Sequence, residues 1–239
     1  MASDVTRESH QVIWMRPTRN RRGPRPAHSR EDLTRAAVDI ADEHGLDEVT
    51  LRAVAGRLGT GAATLYRYIE TKRDLHDLMV DAVSAEYALP STPTGEWRAD
   101  LRALADQARV IYRRHPWALT LSADAAWGPH VQAFMEYFLA VLAATELSLR
   151  EQTELIAQFT STVATFAAHE SRQSRRSFDS VGDMARVEHF QQIAQDSTLP
   201  RLATVVRSML TEAPPDVDDL FRHTVDRLLD SVEPRGPAV

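Results

Sequence analysis

Apolar residues in this chain recur every three to four positions through most of its length, and no stretch sustains the alternation of a half-buried strand. A chain patterned this way buries its apolar surface by packing helix on helix, so the expected fold class is all-α. Leu33, Ala36, Ala37, Ile40 and Ala41 mark a first helix, with Ser29 as its N-cap and Gly45 as its stop. Thr50 precedes a short second stripe of Leu51, Val54, Ala55 and Leu58, which ends at Gly59. After the turn Gly59-Thr60-Gly61, a third short helix is expected from about Ala62 to Ile69. Thr71 then caps a fourth, with Leu75, Leu78, Met79, Ala82 and Val83 on one face.

Pro90 and Pro93 punctuate the chain before Trp97, Leu101, Leu104, Ala108, Ile111 and Tyr112 form the next stripe, stopped by Pro116. Phe134, Phe138, Val141 and Leu142 mark another helix, and Leu155, Ile156, Phe159, Val163 and Phe166 a long one. The polar segment Ser171 to Asp183 reads as a loop, followed by helices near Met184–Gln195 and Leu199–Leu210. A final amphipathic helix carries Val217, Leu220, Phe221, Thr224, Val225, Leu228 and Val232.

Two short helices joined by a tight glycine turn have the helix-turn-helix geometry. Gly59 can take the left-handed conformation the turn needs. Leu65 and Ile69, four apart, face inward and leave Ala62, Ala63, Thr64, Tyr66, Arg67 and Tyr68 on or beside the outer face. Such a helix reads bases in the major groove from its N-terminal residues, where small side chains allow close approach and hydroxyls and Arg suit phosphates.

Charge supports a polyanionic partner at one end. The net charge is −6, yet Arg16 to Asp74 holds 12 basic against 9 acidic residues, so the remainder carries −9. Arg16, Arg19, Arg21, Arg22, Arg25 and Arg30 follow one another with no acid between them, and Pro17, Pro24 and Pro26 break any helix there. Residues 1–28 therefore read as a flexible basic arm, either reaching DNA or serving as a solvated leader. The absence of cysteine removes disulfides, thiolate metal sites and cysteine nucleophiles. No apolar run approaches the roughly 20 residues of a membrane helix. Val12, Ile13, Trp14 and Met15 are too short a run for a signal peptide, so no membrane partner and a cytoplasmic location are expected.

The run from Leu51 to Leu75, with Thr64-Leu65-Tyr66-Arg67-Tyr68 followed by Lys72-Arg73-Asp74-Leu75, resembles the DNA-binding domain of the TetR family of repressors. The match covers about Ser29 to Val83. Beyond Gly95, His115-Pro116-Trp117, Gly128-Pro129 and the helix ending at His169-Glu170 are similar to the regulatory domain of the tetracycline-repressor branch. The resemblance implies a helix-turn-helix domain at 29–75 and a larger helical ligand-binding and dimerisation domain at 76–239. It implies a homodimer that binds a palindromic operator in double-stranded DNA and is released by a small-molecule effector.

Carried over by position, the resemblance places Arg52 at a base-contacting place, Ala62 and Ala63 at the base-facing start of the recognition helix, Tyr66 at its exposed aromatic, and Thr64, Tyr68 and Lys72 at phosphate-contacting places. Gly61-Ala62-Ala63 departs from branches with larger readers there, which leaves the operator sequence open.

In the regulatory half His115, Trp117, Phe134, Tyr137, Phe138, Phe159, Thr162, Phe166 and His169 are candidates to line the effector pocket, with Trp127, Gln158 and Glu170 beside them. The aromatic stripes serve equally well as plain core. His169-Glu170 lacks the second histidine of a zincin, because position 173 is Gln173; no metal and no cofactor are expected. The helix over 151–170 presents small residues Ala157, Ser161, Ala164 and Ala168, and the helix over 217–232 is broadly apolar; together they are the expected dimer contacts. Neither a Gly-x-Ser-x-Gly elbow nor a phosphate-cradling glycine loop is present, which argues against an enzyme. An architectural DNA protein would be basic throughout, unlike this chain.

Overall fold

The structure, a computed structural model, describes residues 11–16, 28–174, 180–213 and 216–232, and among these only helices and their connections occur. Helix α1 (Arg30–His44) starts in a reciprocal cap: Asp32 N–H donates to Ser29 Oγ at 3.1 Å, and Ser29 N–H donates to Asp32 Oδ2 at 2.8 Å. It stops at Gly45, whose φ of 92° strongly favours glycine. Helix α2 (Leu51–Arg57) is capped by Thr50, and Gly59 at φ 65° turns the chain into α3 (Ala62–Leu65). α3 is shorter than the apolar spacing predicts. From Arg67 onward the backbone tightens: Arg67 and Tyr68 donate three residues back, to Thr64 and Leu65, although Ile69 still reaches Leu65 at 3.2 Å.

Helix α4 (Lys72–Ser84) completes this unit. Leu33, Ile40, Val54, Leu65, Ile69, Leu75 and Met79 fill its core together with four contributions from elsewhere: Ile13, Ile111, Trp117 and Ala118. Ile13 is fully buried. Residues 11–16 therefore pack rather than hang free, because a short apolar run followed by Arg16 can seat on α4. The basic positions Arg19, Arg21, Arg22 and Arg25 lie outside the described residues.

The second core gathers α5 (Trp97–Arg114), α7 (Pro129–Leu142), α8 (Leu149–Ser174) and α11 (Val217–Asp230) around Leu104, Phe138, Phe159, Phe221 and Leu229. Each such side chain, fully buried, contributes about 1.5–3 kcal/mol. A single-turn helix, α6 (Ala118–Leu121), links α5 toward α7. The expected loop over Ser171 to Asp183 is helical at both ends: α8 continues to Ser174 and α9 (Ser180–Gln195) begins at Ser180, since no proline falls in either stretch and the one glycine, Gly182, costs a helix only about 1 kcal/mol. Residues 175–179 lie outside the described residues. Helices α9 and α10 (Pro200–Thr211) pack on each other and leave Met184, Val187, Leu202, Val205 and Met209 exposed.

Helix α4 joins the two units through three buried aspartates spaced i, i+3, i+7 on one face. Asp74 caps α4 itself and pairs with Arg16; Asp77 accepts from Ala126 N–H at 2.9 Å. Asp81 accepts from His130 and Val131 N–H at 2.9 and 3.1 Å, satisfying the start of α7.

Candidate functional site

The turn between α2 and α3 projects one polar face. Leu65 and Ile69 are buried and hold the reading segment against the first core, leaving Ala63, Tyr66 and Arg67 exposed, with Tyr66 at 58%. Ala62 and Thr64 are half-buried beside them, and Arg52 is exposed in the first turn of α2. Lys72 is exposed at the first position of α4, where the Lys72 and Arg73 amides are left over by a cap that engages the Glu70, Thr71 and Asp74 amides.

Cations nearby fall into two groups. Arg57 is held by Glu43 at 2.5 and 2.8 Å, and Arg73 donates to the Asp124 carbonyl at 2.9 Å. The side chains of Arg52, Arg67 and Lys72 make no ion pair or hydrogen bond among the described residues, so they meet a phosphate without first breaking a partner. Tyr68 differs from its expected phosphate role: its hydroxyl donates to the His28 carbonyl at 2.7 Å. With that proton committed, it has none for a phosphate, which only accepts.

Between α4, α5, α7 and α8 lies a cavity of about 430 Å³. Its wall is made of apolar and aromatic groups with hydroxyls among them, and among the described residues no Asp, Glu, Lys, Arg or His lines it. Tyr87 packs against Phe134 with ring centres 4.6 Å apart, and its hydroxyl makes no hydrogen bond among the described residues. Burial, reinforced by Tyr112 nearby, pushes the Tyr87 phenol far above its ordinary value, so the hydroxyl stays a donor. Burial also raises Tyr112, against the opposing effect of the Ser122 hydroxyl.

Of the aromatic candidates, Phe134 and Phe159 line this cavity, with Trp127 at its exposed lip. Phe138 stands behind them, fully buried and edge-on to both at 6.0 and 5.0 Å. Tyr137 is buried in the same core, where burial followed by the Asp100 charge raises its phenol. Phe166 packs on Phe221 at 5.0 Å, Thr162 is half-buried off the wall, and His169 is exposed on α8.

His115 and Trp117 lie elsewhere, at the junction of the two units. His115 Nδ1 is 2.8 Å from Asp42 Oδ1 and Nε2 is 2.9 Å from Glu86 Oε1, while Trp117 Nε1 donates to Asp42 at 2.7 Å. Asp42 of α1, which both side chains reach, draws them to the reading unit, and Glu86 just past α4 holds the other ring nitrogen of His115. Residues that sequence spacing did not single out are Tyr87, Ser84, Ser122, Met135 and Thr160. Tyr87 falls after the α4 stripe, where no period marks it.

A larger hollow of about 940 Å³ is bordered by Arg98, Glu146, Glu151, Glu154 and Gln158. It shares no residue with α4, so occupancy there has no direct path to the reading face. Among the described residues no cluster of three or more His, Asp or Glu side chains is arranged to hold a metal ion.

The family model for "Bacterial regulatory proteins, tetR family" matches residues 33–78, and that for "Tetracyclin repressor-like, C-terminal domain" matches residues 89–235. The chain belongs to the TetR family. This TetR-family regulator is 31% identical to the HTH-type transcriptional repressor DrrR1 of Streptomyces coeruleorubidus, over 97% of this chain and 87% of that one. It is 38% identical to the class A tetracycline repressor from transposon 1721 in Escherichia coli, over 34% of this chain and 40% of the repressor. Its fold is shared with ActR of Streptomyces coelicolor, solved in complex with actinorhodin, at a TM-score of 0.73 and 20% identity. That superposition covers 87% of this chain and 97% of ActR. The all-α architecture, with an N-terminal helix-turn-helix unit and a larger helical unit, is that of the family.

Proposed function

We propose that this protein is a repressor released from a palindromic operator when an uncharged, largely aromatic small molecule enters the cavity between α4, α5, α7 and α8. One observation carries the reading: α4 begins at the reading face with unpaired Lys72 and, about 18 Å along its axis, ends in the cavity wall with Val80, Val83 and Ser84. A ligand that favours one placement of α4 thereby biases the other end of the same rigid rod.

Arg52, Ala62, Ala63, Thr64, Tyr66, Arg67 and Lys72 form the DNA contact set in this reading, with Tyr68 bracing the segment through His28. Residues 29–75 act as the reading unit and 76–239 as the regulatory and dimerising unit. The ligand is neutral because a charge in a wall without counter-charges would be desolvated and unpaired. Its acceptor group meets the Tyr87 hydroxyl. Two copies associate through the helices over 151–170 and 217–232, where Ala157, Ser161, Val217 and Leu220 stand exposed in the single chain. The working location is the cytoplasm, beside the chromosome.

Fluorescence anisotropy on DNA from upstream of the coding region, against a scrambled duplex at two salt concentrations, tests the reading. A salt-resistant preference for the native duplex is expected. Lys72→Ala should flatten the salt slope by about one without changing preference, whereas Tyr66→Ala and Arg52→Ala should weaken binding and leave the dimer intact. Equal binding to both duplexes, falling steeply with salt, would replace the repressor with a non-specific DNA binder.

A further inference from the structure

We propose that Trp14 is a positioning residue for the effector response, at the centre of a strap (residues 11–16) that fastens the cavity wall to the DNA-reading unit. The proposal rests on the ligand-responsive reading above. The strap touches three places at once. Ile13 is wholly buried in the first core, among the helices that hold the reading segment. Arg16 donates to both carboxylate oxygens of Asp74, at 2.8 and 3.1 Å, and Asp74 closes the cap beside Lys72. Between them Trp14 donates through Nε1 to the Ala126 carbonyl at 3.1 Å.

Ala126 sits between two cavity-lining residues, Ala125 and Trp127. The fit of the indole is close: a Cβ added at Gly128 would come within 2.5 Å of the Trp14 ring. Other ties join this wall to α4, namely Asp77 to the Ala126 amide and Arg73 to the Asp124 carbonyl. Trp14 adds a tie from the wall through the strap, whose Ile13 is buried in the core of the reading unit and whose Arg16 holds Asp74 at the start of α4. A ligand that displaces Ala125 or Trp127 must therefore either carry the indole, and Ile13 with it, or break the seat on Gly128. This is a second mechanical link between the two sites, and by linkage it works in both directions.

Hydrogen exchange on the full-length protein tests the strap from the DNA side. The probe is a duplex enriched from random sequence by the protein itself. In the unmodified chain, duplex binding should slow exchange at residues 62–72 by direct contact and at residues 122–128 by at least fivefold through the link. In Trp14→Ala the response at 62–72 should persist while that at 122–128 falls below twofold. Trp14→Phe, which keeps the ring on Gly128, should retain more than half of the wild-type response at 122–128. A full response at 122–128 in Trp14→Ala overturns the proposal. So does equal loss at both segments in both variants, which marks a fold defect. Absence of protection at 62–72 in the wild-type chain would instead remove the DNA-binding reading, and the strap's role with it.

Discussion

The Arg109 guanidinium on α5 grips both carboxylate oxygens of Glu170 on α8, at 2.8 Å from Nε and 2.7 Å from Nη2, with only 10% and 12% of the two side chains exposed. Nη2 also reaches Asp218 at 2.7 Å, and the guanidinium lies 4.6 Å from the centre of the Phe221 ring. One cation thus ties α5, α8 and α11. The Glu170 and Asp218 bonds hold Arg109 above its ordinary pKa despite burial. Asp218 is largely exposed and adds little. Arg109→Met should cost about 3–5 kcal/mol, because Glu170 loses both charge-assisted bonds from the guanidinium in a largely buried place. Urea unfolding measures this, and adding Glu170→Gln should recover at least half of the loss. A cost below about 1 kcal/mol in the single variant would place the pair in the range of solvent-screened surface bridges.

Gly128→Ala should destabilise the fold by about 1–3 kcal/mol through overpacking. The new methyl would stand 2.4 Å from the Asp81 carboxyl carbon and 2.5 Å from the Trp14 ring. Asp81 cannot move aside without losing the His130 and Val131 amides. Thermal unfolding checks the effect, and Gly128→Ala should be partly relieved by Trp14→Ala, which removes one of the two obstacles.

His76 on α4 should make the fold sensitive to mild acid. Its Nε2 is buried with no hydrogen-bond partner among the described residues, and burial, then the Lys72 charge, lowers its pKa below the ordinary value. The folded form therefore favours the neutral ring. Its contribution is full above the unfolded pKa of about 6.5 and is lost as pH falls through that value toward the folded one. Between about pH 7.5 and 5.5, His76→Leu should flatten the stability profile measured by urea titration. A profile parallel to wild type would show that His76 takes up its proton without penalty.

Asp74 acts at the acid end. Burial alone would raise its carboxyl, but Arg16 and the Glu70 and Thr71 amides outweigh burial and hold it below the ordinary value. A depressed folded pKa stabilises above the unfolded pKa of about 3.9 and loses that contribution as pH falls through the folded value. Asp74→Asn and Arg16→Gln should each shorten the acid limb of the stability curve below about pH 4. Circular dichroism against pH reads it directly.

Periodicity and caps made much of this fold legible before any coordinates. Ser29, Thr50 and Thr71 start α1, α2 and α4, Gly45 and Gly59 take positive φ, and Leu65 and Ile69 point inward. These features depend on neighbours within a few residues. What escaped depends on distant partners. Nothing local in the sequence marks Asp74, Asp77 and Asp81 as buried; Arg16, Ala126 and His130, far along the chain, satisfy them. Ile13 and Trp14, isolated by Pro17 and the arginines, have no periodic context to mark them as core. Among the aromatics, spacing cannot tell a cavity wall from solid packing: Phe134 and Phe138 are four residues apart on one helix, yet only Phe134 lines the hollow.

Lys72, exposed at the first position of α4, is the sole lysine in the sequence. An amine-directed acylating reagent therefore meets one side-chain target, and reaction there erases a positive charge and a proposed phosphate partner together. Labelled molecules would be uniform at that position, and the yield of label would report how much of the protein is holding DNA.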